Sequence, residues 1–317
     1  MAVPFSQLVA STFEDVVNQK GAADQWSDSS FLKTLEKLGG VKRVPGGSTL
    51  QVTLDYIANA GVDFMATDVT PTSTAKTSIL TAASYPYVPL VSPMNWTLFD
   101  EAINSDTNQK VDLLQAIVDN GLTSHDQAVE NGMFAATGGT DGFNTLIDLY
   151  THTGVGVVGT IDSGVELWWK NKFKDYGTDT GATLLADYTA LYNACKKGSL
   201  GRAPNVVVGA AREQAIFEAA LVNLQRFVDV GNKMSVSAET LAFKNIPFIF
   251  TSGYSGRDVF MFNTQDTQLF VVSSAWRKQR EAVEYTNAAM MNKKIFSVLQ
   301  LATRNRSRGG VLFTAAP

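Results

Sequence analysis

The sequence predicts an α+β protein, and three stretches carry that prediction. Between Glu239 and Ser274, apolar runs at 241–250, 259–262 and 269–272 are separated by Gly253-Tyr254-Ser255-Gly256 and Asn263-Thr264-Gln265-Asp266-Thr267. Short breaks rich in turn formers between apolar runs are the pattern of an antiparallel meander. Residues 49–57 alternate as a strand with one apolar face, 77–91 form a second β-rich run, and the small, polar segment 58–76 lies between them. From Asn108 to Phe134, Val111, Leu114, Val118, Leu122, His125, Val129 and Met133 repeat at the spacing of one helical face.

Taken in order, the segment from Ser11 to Asp28 is too polar to form a core of its own and is expected to lie on something else as an arm. Residues 31–38 then form a short amphipathic helix, with Ser29 and Ser30 as N-cap candidates and Gly39-Gly40 as the stop. Two strands of ten or more residues around the 58–76 tip would reach ~30 Å or more at ~3.3 Å per residue. A hairpin of that length is marginal in water alone. It folds back on its own domain or lies across another subunit, and the second reading is the sharper expectation. Gly121 is expected to kink the long helix, and a shorter helix follows at 141–150. From Gly164 onward, 165–175, 182–196 and 211–228 read as helices and 205–209 as a short buried strand. In the meander, Val259-Phe260-Met261-Phe262 is apolar on both strand faces and should be covered on both. Pro247 belongs at a strand start, an edge or a bulge, because it cannot donate to a ladder. Strands at 295–302 and 311–313 flank the basic turn Arg304-Asn305-Arg306-Ser307-Arg308-Gly309-Gly310.

With 317 residues the chain has ample material for a core, as one large or two small domains. Its hydrophobic share of 45% is that of a soluble globular protein. No apolar run approaches the roughly 18 residues of a membrane span. The N-terminal stretch lacks the basic and apolar regions of a signal peptide. The single Cys195 excludes an internal disulfide framework and fits a reducing compartment. Asn95-Trp96-Thr97 and Asn305-Arg306-Ser307 match a glycosylation pattern that nothing else supports, and are read as chance. Charge is uneven: residues 273–317 carry eight Lys or Arg against Glu281 and Glu284, a net +6, while the rest of the chain carries −10. Such a basic end either faces an anionic partner, nucleic acid included, or is a solvated face paired with the acidic remainder.

The search for catalytic chemistry returns little. Gly154-x-Gly156-x-x-Gly159 formally matches a dinucleotide fingerprint, but a helix precedes it where a strand is required. A flexible connection between two domains is the better reading of these glycines. His125 and His152, with one distant cysteine, cannot make a three-ligand zinc set without carboxylates. Cys195 with His152 is a nucleophile pair on paper, but Ala194-Cys195-Lys196 on a helix reads as an inert buried thiol. Trp168-Trp169 reads as one core residue and one interface residue in preference to a base-stacking platform.

The meander, with Leu241-Ala242-Phe243-Lys244-Asn245-Ile246-Pro247-Phe248-Ile249-Phe250, the Gly-rich break and Asp258-Val259-Phe260-Met261-Phe262-Asn263-Thr264, resembles the distal half of tailed-phage major capsid proteins of the Hong Kong 97 fold. The order of elements upstream is similar to that family's as well. Gly159-Thr160-Ile161-Asp162 leading to Trp168-Trp169-Lys170-Asn171 resembles the start of its axial domain, and Thr303 to Leu312 resembles its C-terminal turn. The resemblance runs from Phe31 to Phe313 and implies five regions. These are an N-terminal arm (1–47), an extended β-hairpin or E-loop (48–93), a peripheral domain with a long spine helix (94–163), an axial domain (164–272) and a return to the peripheral domain (273–317).

It further implies a major capsid protein that self-assembles through pentamers and hexamers into an icosahedral shell around the phage genome. No catalytic residue, cofactor or metal is expected. The expected partners are copies of itself, a separate scaffolding protein, portal and decoration proteins, and packaged double-stranded DNA on the inner face, with no membrane. The expected location is the virion capsid, assembled in the host cytoplasm. Some relatives weld their shells through an E-loop lysine, and Lys76, at the base of the second strand between Ala75 and Thr77, is the one lysine in this hairpin. With no lysine at the tip, no such cross-link is expected. Two alternatives remain: an encapsulin-type compartment with the same fold, and a nucleotide-dependent soluble enzyme built on residues 154–228.

Overall fold

The structure is a computed structural model that describes residues 30–56, 79–103, 113–135, 142–177, 181–196, 202–222, 242–244, 246–251, 254–286 and 288–314. Most of the N-terminal arm (1–29), the hairpin tip with Lys76, residues 108–112 of the long helix and 223–228 of the last helix lie outside the described residues.

The longest strand, β15 (Met290–Thr303), organises the first sheet. Along Met290 to Leu299 it pairs antiparallel with β4 (Val88–Thr97), and from Leu299 to Thr303 with β12 (Thr267–Val272). The strand β1 (Val41–Val44), which the sequence reading missed, adds to β12 in parallel. Two short strands, β13 (Lys278–Gln279) and β14 (Val283–Glu284), finish the far end. All of β12 is buried, and β15 passes from an alternating first half into a wholly buried second half. One strand thus joins an extended, half-solvated ribbon to the core.

The long helix α3 (Leu113–Met133) lies across β4 and β15, after α1 (Ser30–Lys37) and α2 (Leu98–Ile103) in the chain. It runs unbroken through Gly121, so the expected kink gives way to another use of that glycine. A Cβ there would collide with the Met94 side chain and reach Ile295 at 3.6 Å, so Gly121 sets how closely helix and sheet approach. Farther along, Val129 and Met133 are buried in the main core. Glu130 is buried too, accepting the Leu32 backbone N–H at 3.1 Å and the Thr251 hydroxyl at 2.5 Å. It therefore caps an orphan donor in the first turn of α1 from a different helix.

The second sheet has the order β7-β16-β11-β8-β10-β9, comprising β7 (Lys172–Asp175), β16 (Gly310–Phe313), β11 (Val259–Phe262), β8 (Val206–Ala210), β10 (Ile246–Thr251) and β9 (Ala242–Phe243). Both its faces are covered. Val259 and Met261 join a core under α5 (Gly181–Cys195) and α6 (Ala211–Val222), while Phe260 and Phe262 face the main core. This is the two-sided burial expected of residues 259–262. Pro247 sits near the start of β10, as its missing N–H requires.

The meander itself is not formed. β8 takes the centre, with β10 parallel to it on one side and β11 antiparallel on the other, while β12 crosses into the first sheet. Short strands that are apolar on both faces carry no signal for their neighbours, so the pairing partners were not legible. Residues 165–175 likewise form no α-helix. A 3-10 turn at Leu167–Trp169 leads directly into β7, which pairs in parallel with β16. The Asn171 side chain donates to the Thr151 and Lys172 carbonyls, and the downstream strand overrides local helical periodicity. The 141–150 helix shrinks to α4 (Leu146–Leu149), closed by a capping box between Thr145 and Asp148.

Candidate assembly surface

The root of the hairpin is β2 (Thr49–Asp55) paired antiparallel with β3 (Leu80–Pro86), Thr49 opposite Pro86 and Asp55 opposite Leu80. Alternation buries Leu50, Val52 and Leu54 on one face, with Ala83 and Tyr85 beside them. The Tyr85 hydroxyl donates to the Thr303 carbonyl at 3.0 Å, and the Ser84 N–H donates to the Gly159 carbonyl at 2.9 Å. Burial raises the Tyr85 phenol well above its usual range, so it stays a neutral donor. Where the hairpin leaves the body, Ile79 and Leu80 are exposed and Tyr56 lies against Trp168, ring centroids 5.3 Å apart.

Under this root sits the Gly154–Gly159 segment, as a tight hairpin of β5 (Val157–Val158) and β6 (Ile161–Asp162). Gly159 has φ +61° and an added Cβ would come within 2.7 Å of the Tyr85 ring. The Gly154 and Gly156 carbonyls turn inward to Arg306, which is fully buried. Arg306 Nε donates to the Leu149 carbonyl at 2.6 Å, Nη1 to Ser163 Oγ at 2.7 Å and to the two glycine carbonyls at 3.4 and 3.5 Å, and Nη2 to Thr151 Oγ1 at 3.2 Å. Burial lowers this guanidinium to about 10, which leaves it charged at neutral pH. A charge buried without a carboxylate is tolerable only when its donors are so fully used.

The same stretch turns apolar side chains outward. Val157, Val165 and Leu167 are 69%, 76% and 65% exposed, and Val155 and Phe173 are exposed with them. Gly154 approaches the Phe173 ring and Gly164 approaches Val155. A second apolar group, Phe99, Val283 and Tyr285, stands at the far end of the first sheet, where Leu98 and Tyr285 donate to the Ala289 and Met290 carbonyls. Large apolar side chains left this exposed in a folded subunit are candidates for burial by a partner.

The residues weighed for chemistry have structural partners. His125 is buried between Ser92 Oγ at 2.8 Å and Ser297 Oγ at 2.7 Å, tying the long helix to β4 and β15, and burial lowers its pKa. His152 stacks on Phe313 and meets Asp258 Oδ1 at 3.0 Å. Cys195 is wholly buried, and burial pushes its thiol up to about 12, so it is protonated and inert at neutral pH. Trp169 lies in the core and donates to the Val158 carbonyl at 3.1 Å, while Trp168 is half-buried. Among the described residues no group of three or more His, Cys, Asp or Glu is placed to hold a metal, and no helix is long and apolar enough to cross a membrane.

The basic end divides in two. Arg277 makes a bidentate pair with Asp126 at 2.7 and 2.9 Å and reaches Glu36 at 3.0 Å, and Arg306 is consumed inside. Arg304 and Arg308 stand around the buried Asp266. Sequence reasoning missed Glu130, Arg306 and Asp266 as nodes. Each is a charged residue whose burial depends on partners roughly a hundred or more positions away, except that Asp266 meets Arg308 and Arg202 at closer range.

No family model matches the sequence, and no curated protein matches it. Solved structures do. A cyanophage A-1(L) capsid chain aligns over 96% of this chain and 98% of its own, with a TM-score of 0.67 at 12% identity. The capsid of Myoviridae phage XM1 aligns over 99% of both chains, with a TM-score of 0.60 at 14% identity. The encapsulin of a holo-SrpI complex from Synechococcus elongatus PCC 7942 aligns over 99% of this chain and 95% of its own, at 0.61 and 10% identity. The chain therefore has the Hong Kong 97 fold of these shell proteins.

Proposed function

We propose that this chain is the major capsid protein of a tailed phage, a structural subunit whose copies close into an icosahedral shell around the genome. The observation that supports it best is the extent of the structural likeness. A capsid chain and this one cover each other almost completely, 96% of this chain and 98% of that one. The mechanism is geometric. Residues 164–272 act as the axial domain, meeting their copies around five- and six-fold centres. Residues 94–163 and 273–317 act as the peripheral domain, and the 48–93 hairpin reaches over a neighbour. The exposed Val157, Val165 and Leu167 are then buried by other subunits, and closed symmetry multiplies each weak contact.

A scaffolding protein, a portal and packaged double-stranded DNA belong to this reading, as does assembly in the host cytoplasm ahead of a place in the virion. The nucleotide-dependent enzyme is disfavoured because the Gly154 and Gly156 N–H groups, which would have to meet phosphate, already donate to the Thr151 carbonyl and Ser163 Oγ. The encapsulin reading keeps one specific support, the likeness to the Synechococcus shell. Sedimentation velocity of the purified chain tests the proposal: it predicts capsomers or megadalton particles, and a single monomer or dimer boundary contradicts it. Nuclease-protected DNA in particles made during infection separates phage shell from protein-loaded compartment.

A further inference from the structure

Three guanidiniums converge on one carboxylate beside the last turn of the chain. Asp266 is 5% exposed, with Oδ1 3.4 Å from Arg202 Nη1 and Oδ2 3.9 Å from Arg308 Nη1. Arg304 acts on the same carboxylate, and its backbone N–H donates to the Asp266 carbonyl at 2.7 Å. The Arg304 guanidinium also lies 5.9 Å from the Phe270 ring centroid, and Lys42 Nζ lies 6.0 Å from it. Three guanidiniums thus act on one acid, an excess of two positive charges, and Lys42 shares the Phe270 ring with one of them.

The protein uses few of the donors these groups carry. Among the described residues the Arg308 Nε donor is buried without a hydrogen-bond partner, and so is the acceptor Asp266 Oδ2 beside it. The Arg202 side chain is 55% exposed, and Arg304 is exposed. Arg306, between two of these arginines in sequence, shows the contrast, since its donors are spent on carbonyls and hydroxyls. An excess of forked, weakly hydrated guanidiniums, one of them over an aromatic ring, suits phosphate oxygens better than a single ammonium would. The cluster stands on a chain that is −4 overall, so it is a local feature and not a general basicity.

We propose that Arg202, Arg304 and Arg308, with Lys42, form a binding site for the phosphodiester backbone of nucleic acid. This rests on the shell reading, because many weak copies of one site on a closed surface are what would hold a polymer. It also assigns the basic-end contact to the Asp266 cluster, not to the whole of residues 273–317.

The test is fluorescence anisotropy of a 30-base-pair DNA duplex with the full chain across a salt series, comparing wild type with Arg202→Gln/Arg304→Gln. Each phosphate contact contributes a slope of about 0.9 in log affinity against log salt. The double variant is therefore expected to lower the slope by about 2 and weaken binding roughly tenfold or more. Lys278→Gln/Lys294→Gln, a charge-matched change at exposed lysines on β13 and on β15 ten residues before Arg304, is expected to leave the slope unchanged. An equal loss in that control would reduce the effect to net charge and overturn the site. An unchanged slope in the arginine variant would overturn it too. Loss of particles by sedimentation with DNA binding intact would assign the cluster to an acidic side chain of a second copy. Full displacement of the duplex by millimolar inorganic phosphate would assign it to a free anion. If the double variant melts early, Arg304→Gln alone carries the test with half the slope change. Assembly is read separately, so failure here is distinguishable from failure of the shell reading.

Discussion

The stretch from Thr151 to Phe173 and the hairpin root packed on it treat polarity in opposite ways. In the root, β2 alternates conventionally, with Leu50, Val52 and Leu54 inward and threonine, glutamine and aspartate outward. In the neighbouring stretch the carbonyls of Gly154 and Gly156 and a buried arginine face inward, while Val157, Val165 and Leu167 face outward. A folded monomer gains nothing from that inversion. It makes sense when the outward side chains are buried by something else, and the inward polar cradle holds them rigidly in position. The difference separates residues that hold the subunit together from residues that hold subunits to one another.

The sharpest way to break this distinction is Arg306→Met. It removes the donor to the Leu149 carbonyl and the links from Arg306 to the Gly154 and Gly156 carbonyls and the Ser163 and Thr151 hydroxyls, which keep Ser163 and Val155 as partners. At ~1–3 kcal/mol per buried polar group left unsatisfied, with the bulk of the lost guanidinium contacts added, the expected loss is about 4 kcal/mol, read from the urea midpoint of soluble subunits. A cost under ~1 kcal/mol would show that the cradle is not structural. Gly159→Ala should come next, at about 2 kcal/mol, since a Cβ at φ +61° would strike Tyr85 and Ala83. The same denaturation series checks it.

How much of this was legible in the sequence depends on what each element needed. The alternation of 49–55, the helical face of 113–133 and the two-sided strand 259–262 are local patterns, and they folded as patterned. The meander and the 165–175 helix were misread because their outcome depends on pairing with β8 and β16, strands that were legible but whose partners local periodicity cannot assign. The apolar surface was illegible for a related reason. Val157 and Val165 look like core residues in sequence, and only the cradle around Arg306 turns them outward. Dismissing Gly154-x-Gly156-x-x-Gly159 on context was sound, but nothing local signalled that an arginine some 150 residues downstream would occupy it.

A smaller effect is expected from acid. Burial between two serines lowers the His125 pKa in the folded state, so the unfolded chain takes up that proton first, near pH 6.5. This contribution is complete above about pH 6.5 and is lost as pH falls through the lower folded value. Denaturation midpoints at pH 7.5 and 5 should therefore differ less in His125→Gln than in wild type. An identical pH dependence in the two would remove His125 from the account.

The smallest effect on stability, and the largest on assembly, belongs to Val157→Asp/Leu167→Asp. Both side chains are exposed in the subunit, so melting should shift by no more than ~0.5 kcal/mol, while sedimentation shows particles lost. A variant that unfolds would place these residues in the core after all, and one that assembles normally would leave the outward surface without a role.

Negative-stain electron microscopy of the wild-type chain, purified after expression with its scaffolding partner where one is needed, tests the central claim most directly. The account predicts closed shells of uniform diameter, with five- and six-fold clusters of subunits on their surface. A field of dispersed small oligomers under the same conditions would contradict it.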